Sequence, residues 1–281
     1  MSVAGGLHRA FERGDSIGCR AVQIFTKNAR GWNAAPLAAP DVELFRERLT
    51  TSELARATCA HASYLINLGA SEGPVAEKSL AGLIDELQRC EALGIPFLIL
   101  HPGAHMGAGE ETGLDRIAAG LDRAHAACAG FRVRVLLENA AGQGSCLGHR
   151  FEHLEGILAR VREPDRLGIC FDTCHAFAGG YDIRTAAGYE ATMAELDRRI
   201  GIDRIRIIHV NDSKKGLGSR VDRHEHIGQG EIGLEAFRCL VNDRRLACVP
   251  KILETPKKED MAEDVMNLRT LASLVEGARA R

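Results

Sequence analysis

An α/β barrel is the fold class that this 281-residue chain predicts. Three observations predict it. Short apolar runs alternate with amphipathic stripes along the whole chain. The runs are apolar on both faces, as buried parallel strands must be. Nearly every run ends in a histidine or a carboxylate. In a closed barrel all strand C-termini meet at one mouth, so polar ends from many strands converge there. An open doubly wound sheet gathers its site at a switch point between a few strands. So many polar strand ends therefore favour the barrel.

The elements follow in order. A first helix is expected around residues 7–13, almost at the start. Residues 21–25 (Ala-Val-Gln-Ile-Phe) read as a strand, and Thr58-Cys59-Ala60 leading to His61 as a weaker one. Leu80, Leu83, Ile84, Leu87 and Leu93 recur near helical spacing, and Gly94 then Pro96 close that helix. The run Phe97–Leu100 stops at His101. Leu114, Ile117, Leu121 and Cys128 form the next stripe, and the run 133–137 stops at Glu138. Phe151, Leu154, Ile157, Leu158 and Val161 form another stripe. The run 167–171 then stops at Asp172, with His175 just beyond. The run 205–208 stops at His209. Leu234, Phe237, Leu240 and Val241 mark the helix before the last strand, 251–253, which stops at Glu254. A C-terminal helix is expected over 261–275.

Repeated β-α units imply parallel strands joined by helical crossovers. The runs supply seven strands, whereas a TIM (β/α)8 barrel closes with eight. The expectation is therefore a TIM barrel whose first strand is missing or truncated, with unpaired backbone groups on two neighbouring strands. No linker, repeat or low-complexity segment interrupts the pattern, so residues 1–281 read as one domain.

Composition narrows the class. Hydrophobic residues make up 45% and charged residues 26%, which allows a large core and argues against disorder. No apolar stretch approaches the roughly 20 residues of a membrane span. Residues 1–6 lack a basic segment followed by an apolar one, so no secretion signal is expected. Nine cysteines, an odd number without a Cys-x-x-Cys pair, fit a reducing cytoplasm and argue against a thiolate zinc knuckle. A formal net charge of -2 argues mildly against a nucleic-acid partner. Each bound divalent cation would add about two units, so net charge does not decide the partner.

The candidate ligands are His61, His101, Glu138, Asp172, His175, His209, Asp222, His224 and Glu254. Imidazole with carboxylate suits zinc, manganese or iron(II). Nine ligands exceed one tetrahedral ion and suit two or three ions with a bridging carboxylate. Such a site, with open positions, generates hydroxide at neutral pH and clamps a phosphate, which points to phosphodiester hydrolysis. Taken singly, each residue has an ordinary reading: a hydrogen-bonded strand-end histidine, a helix-capping or ion-paired carboxylate. Asp172 and His175 fall in one βα loop, and Asp222 and His224 project to one side of an extended segment. Coincidence across all nine is improbable. His8, His125, His149 and His153 read as surface or packing residues. His105 and His226 read as supports near the site, and Cys174 as packing.

Longer motifs then become visible. They include His61-Ala62-Ser63-Tyr64-Leu65-Ile66-Asn67-Leu68, His101-Pro102-Gly103-Ala104-His105 and Glu138-Asn139-Ala140-Ala141-Gly142-Gln143-Gly144. Further on come Phe171-Asp172-Thr173-Cys174-His175, His209-Val210-Asn211-Asp212-Ser213-Lys214, Asp222-Arg223-His224 and Leu253-Glu254-Thr255-Pro256. On these motifs, in this order, the chain closely resembles the endonuclease IV family of zinc-dependent apurinic/apyrimidinic endonucleases.

The resemblance implies a TIM barrel with three zinc ions per chain, manganese or iron(II) being possible substitutes. His61 and His101 would hold one zinc. Glu138 would bridge to a second, held also by Asp172, His209 and Glu254. His175, Asp222 and His224 would hold the third. Glu138 would orient or deprotonate the attacking hydroxide. The substrate implied is duplex DNA with abasic sites or blocked 3′ ends, cut on the 5′ side of the abasic site by a monomeric enzyme. A missing base makes it less costly to turn a nucleotide out of the duplex. Arg30, Tyr64 and Leu65 match the residues that family members push into the gap; the ordinary reading of Tyr64 and Leu65 is loop packing. Lys27, Lys214, Lys215, Arg220 and Arg223 lie in strand-end loops where they could meet phosphates, or remain solvated surface. The chain departs from the family at the absent first strand, at Gly31 and at His226, which leaves all nine ligands in place. Two other readings stand beside this one: a metal-dependent sugar isomerase or epimerase on the same barrel, and a damage-binding protein without catalysis.

Overall fold

Seven parallel strands lie side by side in chain order in the computed structural model, which describes residues 1–52, 54, 57–258 and 260–277. They are β1 Val22–Ile24, β2 Thr58–His61, β3 Phe97–Leu100, β4 Arg134–Glu138, β5 Leu167–Asp172, β6 Ile205–His209 and β7 Lys251–Ile252. Each pairs with its sequence neighbour, and β1 and β7 have one partner each. The barrel is therefore nearly closed and open at one seam, consistent with a missing or truncated first strand.

One helix precedes β1 and the others follow the strands: α1 Arg9–Ser16, α2 Ala39–Thr51, α3 Pro74–Leu93, α4 Glu110–Ala127, α5 Phe151–Arg160, α6 Thr173–Gly179, α7 Ala186–Ile200, α8 Leu234–Asn242 and α9 Ala262–Ser273. The periodic stripes at 80–93, 114–128, 151–161 and 234–241 fall on α3, α4, α5 and α8. The sequence reading did not place α2, α6 or α7, and it set α1 two residues early. No helix among the described residues is long and apolar enough to cross a membrane.

Two apolar layers result. The larger one packs helices onto the outer face of the sheet and includes Leu83, Leu87, Ile117, Leu121, Leu154, Phe237 and Leu240. The smaller one fills the barrel interior with one residue from each of six strands: Cys59, Ile99, Leu136, Cys170, Ile207 and Ile252. Side chains on a strand return to the same side every second residue. Two residues beyond each member of that layer stand His61, His101, Glu138, Asp172, His209 and Glu254. The alternation that fills the barrel therefore also turns six polar strand ends inward at its mouth.

Candidate metal centre

All nine candidate ligands converge at this mouth. Glu138 is wholly buried and lies at the centre. Its Oε2 lies 3.1 Å from His61 Nε2 and 3.4 Å from His101 Nε2. Its Oε1 lies 2.8 Å from His209 Nδ1 and 3.3 Å from His175 Nδ1. His209 Nδ1 is also 3.2 Å from Glu254 Oε2 and 3.8 Å from Asp172 Oδ2. Asp222 joins the group from its loop, 3.2 Å from both His175 Nε2 and His224 Nε2.

The hydrogen bonds fix which nitrogen each ring presents. His61 Nδ1 is 2.7 Å from the Ala62 carbonyl, His175 Nδ1 2.9 Å from that of Asn139, and His224 Nδ1 3.1 Å from that of Glu254. A carbonyl accepts only, so each of these nitrogens carries the proton. The opposite nitrogen of each ring faces carboxylate oxygens and offers them a lone pair whenever the ring is neutral. His175 Nε2 and His224 Nε2 are buried with no hydrogen-bond partner, although Asp222 stands beside both. Lone pairs facing carboxylates in a buried site require a cation between them. The residues present therefore fit metal ions.

The electrostatics agree. Burial alone would raise the Glu138 carboxyl, but His209 and His101 hold it well below the usual carboxylate range. Burial lowers His175 and His209, yet the surrounding groups raise both well above an ordinary imidazole: Asp172 and Asp222 for His175, Cys170 and Glu254 for His209. Burial likewise opposes His224, which Asp222 and Asp172 raise to about 9. His101, with weaker compensation, is pushed down by burial to about 4. The carboxylates thus draw positive charge into the mouth.

Several supports carry no obvious mark in the sequence. Asp172 caps α6 by accepting from His175 N at 2.7 Å, and its other oxygen accepts from Asn211 Nδ2 at 2.7 Å. Asn211 Oδ1 in turn accepts from Glu254 N at 2.8 Å. Asn139 bonds the Asp172 backbone through both its N–H and its oxygen. Asp212, buried, gathers the backbone N–H groups of Ser213, Gly228, Gly230 and Ile232 and so shapes the loop beyond β6. Asn139 and Asn211 lie one and two residues past strand-end candidate ligands and within the same motifs, which was the available signal. His226 packs near the site through Asn267, which also bonds Thr255. Cys174 is fully buried, as a packing residue would be, with its sulfur close to Asp172 and His224.

A further cluster, Glu110, His149 and His153, already has its cation. The Arg150 guanidinium pairs with Glu110 and lies 2.9 Å from His153 Nε2. His149 and His153 are buried, as packing residues.

A family model described as a xylose isomerase-like TIM barrel matches residues 11–271. A protein of Chloroflexus aurantiacus named probable endonuclease 4 is 53% identical over 278 residues, covering 99% of this chain and 97% of that protein. One of the same name from Geobacter sulfurreducens is 52% identical over 275 residues, covering 98% and 93%. The crystal structure of endonuclease IV from Thermus thermophilus superposes with a TM-score of 0.86 at 39% identity, over 99% of this chain and 98% of that one. The chain belongs to the endonuclease IV family. It is thereby an enzyme, a nuclease of the DNA-repair type. A D-tagatose 3-epimerase-like protein, 20% identical with a TM-score of 0.69, shares the fold alone.

In this endonuclease IV family member the loops around the mouth carry the residues matched to DNA contact. Tyr64 is 54% exposed, and its ring leans on Phe25, His61 and His101. Leu65 is half-buried beside it, and Arg30 is exposed on the loop after β1. Lys214, Lys215, Arg220 and Arg223 are exposed on the loop between β6 and α8. Lys27 is a correction. Its side chain is only 2% exposed, and its Nζ pairs with Asp85 at 2.6 Å and Glu86 at 3.8 Å. A charge satisfied inside the protein cannot meet a phosphate, so Lys27 serves as an internal strut. Glu86 extends that strut, accepting from Thr26 Oγ1 at 2.7 Å and from Ser63 N at 3.3 Å. Ser63 Oγ and Tyr64 N both donate to the Ala29 carbonyl, at 2.9 Å and 3.1 Å. The loops after β1 and β2 are thus tied to each other.

Proposed function

We propose that this protein hydrolyses the phosphodiester bond on the 5′ side of abasic sites in duplex DNA, leaving a 3′ hydroxyl and a 5′ deoxyribose phosphate, and that it also trims blocked 3′ ends. One observation carries this reading: buried imidazoles, proton fixed on the far nitrogen, turn lone pairs onto four carboxylates. That arrangement suits three divalent ions, zinc first by donor type and manganese or iron(II) as substitutes. His61 and His101 would hold one, with Glu138 bridging to a second held by Asp172, His209 and Glu254. His175, Asp222 and His224 would hold the third. Bound there, the ions would supply Lewis-acid polarisation of the phosphate and easier ionisation of water.

The chain's own residues do the rest. Glu138, whose two oxygens face imidazoles from several strands, orients the attacking water and takes its proton. Tyr64 and Leu65 enter the space that a missing base leaves, and Arg30 steadies the strand beside them. A cavity of about 360 Å³, lined by Tyr64, Asn67, His101, Gln143 and Asp222, opens beside the centre and gives an extruded sugar-phosphate a place to sit. Lys214, Lys215, Arg220 and Arg223 meet phosphates along the flank.

The test is incubation of a defined abasic duplex with zinc-replete protein, with and without a chelator. A single incision 5′ of the abasic site, lost on chelation and restored by zinc, is expected. Tight abasic-DNA binding without incision would instead favour a damage-binding protein. Equal cutting of intact duplex would remove the abasic specificity.

A further inference from the structure

The interior layer beneath the ligands has one polar member. In β1 the residue level with Cys59 is Gln23. Its counterparts on the other six strands are Cys59, Ile99, Leu136, Cys170, Ile207 and Ile252. Gln23 is 6% exposed. A buried amide is tolerated only when its ends are hydrogen-bonded, and both ends of Gln23 are bonded to candidate ligands. Its Oε1 lies 2.7 Å from His209 Nε2, and its Nε2 donates to Glu254 Oε1 at 2.5 Å.

An amide oxygen only accepts, so His209 must carry its proton on Nε2. That leaves the Nδ1 lone pair facing Glu138, Glu254 and Asp172. An amide nitrogen only donates, so Glu254 commits Oε1 to Gln23 and leaves Oε2, 3.2 Å from His209 Nδ1, turned into the centre. His209 and Glu254 belong to the same group in the proposed assignment, that of the second ion. No bond from Gln23 reaches His61, His101, His175, Asp222 or His224 among the hydrogen bonds of the described residues. The contact also crosses the seam, because Glu254 follows β7 and Gln23 lies in β1.

We propose that Gln23 is a positioning residue for the second ion: it sets the His209 tautomer, aims Glu254 and holds the two seam strands at the spacing that this ion needs. The inference rests on the three-ion reading above. Residues that orient metal ligands through hydrogen bonds change metal affinity by about 10–100-fold when removed.

The experiment compares wild type with Gln23→Met, which keeps the volume and removes both bonds, and with Gln23→Asn, which keeps the amide but is too short to reach both partners. Zinc content is measured by elemental analysis after equilibration in buffers of graded free zinc, and the Tm of each apo-protein is recorded. In both variants one zinc of three is expected to need about 10–100-fold more free zinc, the other two being unchanged, while the apo-protein Tm falls modestly because two buried groups lose their partner. Identical zinc occupancy curves for all three proteins would overturn the proposal. Equal weakening of all three ions would also overturn it, as general destabilisation. Nitrogen-15 shifts of the wild-type His209 ring give a measurement that needs no variant: a proton on Nε2 is expected, and one on Nδ1 would reject the assignment. Wild type that binds no zinc would instead remove the three-ion reading itself.

Discussion

Glu138 has no exposed surface and four imidazoles around its two oxygens. Replacing it with glutamine keeps the shape and removes the charge that the imidazoles and ions share. Glu138→Gln is expected to slow single-turnover incision of abasic DNA by about 10²–10⁴-fold, the contribution typical of a positioned general base. Abasic-DNA affinity, read by fluorescence anisotropy, should change little. Near-normal turnover would exclude the role given to Glu138. Tyr64 presents the opposite case. It is half-exposed and touches the centre only through ring contacts. Tyr64→Ala should leave zinc content intact and cost about 1–3 kcal/mol of preference for abasic over intact duplex, the usual worth of an aromatic stacking contact. Competition binding measures this, and an unchanged preference rejects the wedge. Seven of the nine candidate ligands were legible in the sequence because each ends an apolar run or follows one closely, and Asp222 and His224 because they alternate on one extended segment. Gln23 was not, because it sits inside a strand where only the barrel's register shows which way it points.

At the scale of elements, the stripes that drew attention in the sequence became α3, α4, α5 and α8. α2, α6 and α7 were missed, although α7 carries a stripe of its own at Tyr189, Thr192, Met193, Leu196 and Ile200. α2 buries only Phe45, so its face offers no period to read. α6 is buried nearly all round and lies within the ligand motif, where residues 173–179 look like a loop. Lys27 misled for a related reason: a lysine just past a strand looks solvent-facing until α3 places Asp85 and Glu86 against it. This contact gives α3 a task beyond packing. Through Glu86 it joins Thr26 to Ser63, and so the Arg30 loop to the Tyr64 loop. Burial raises the Glu86 carboxyl, while Thr26 and Lys27 work against that rise. Glu86→Ala would leave the Thr26 hydroxyl and the Ser63 N–H without this acceptor, a loss of about 1–3 kcal/mol for each group left unsatisfied. Hydrogen exchange should quicken at residues 26–31 and 63–66 while β4 and β5 keep their protection. Unchanged exchange in the two loops would show that the tie does not hold them.

The whole molecule is a barrel whose wall is continuous everywhere except between β1 and β7. Seven apolar runs in the sequence already implied that opening. What spans it was not legible, because the bridge is a side-chain contact, Gln23 to Glu254. The centre lies at the open end of this seam and takes ligands from β2 through β6, from Glu254 just past β7, and from the loop holding Asp222 and His224. Ions there would fasten strands around the mouth, including β7, which has a single neighbour and two ladder residues. Removing them would leave four carboxylates and five imidazoles packed together with no cation but borrowed protons. An ion held at a concentration of 100 times its Kd stabilises the folded state by about 2.7 kcal/mol. For a chain of this size each kcal/mol moves the Tm by about 2–4 °C. Chelation is therefore expected to lower the Tm by about 5–10 °C for each ion lost. The effect should be uneven: exchange at β7 and β1 should quicken before exchange at β4 and β5, which are paired on both sides. A Tm indifferent to chelation would mean that the mouth holds itself together without ions. A uniform rise in exchange across all seven strands would mean that the ions stabilise the barrel without acting at its seam.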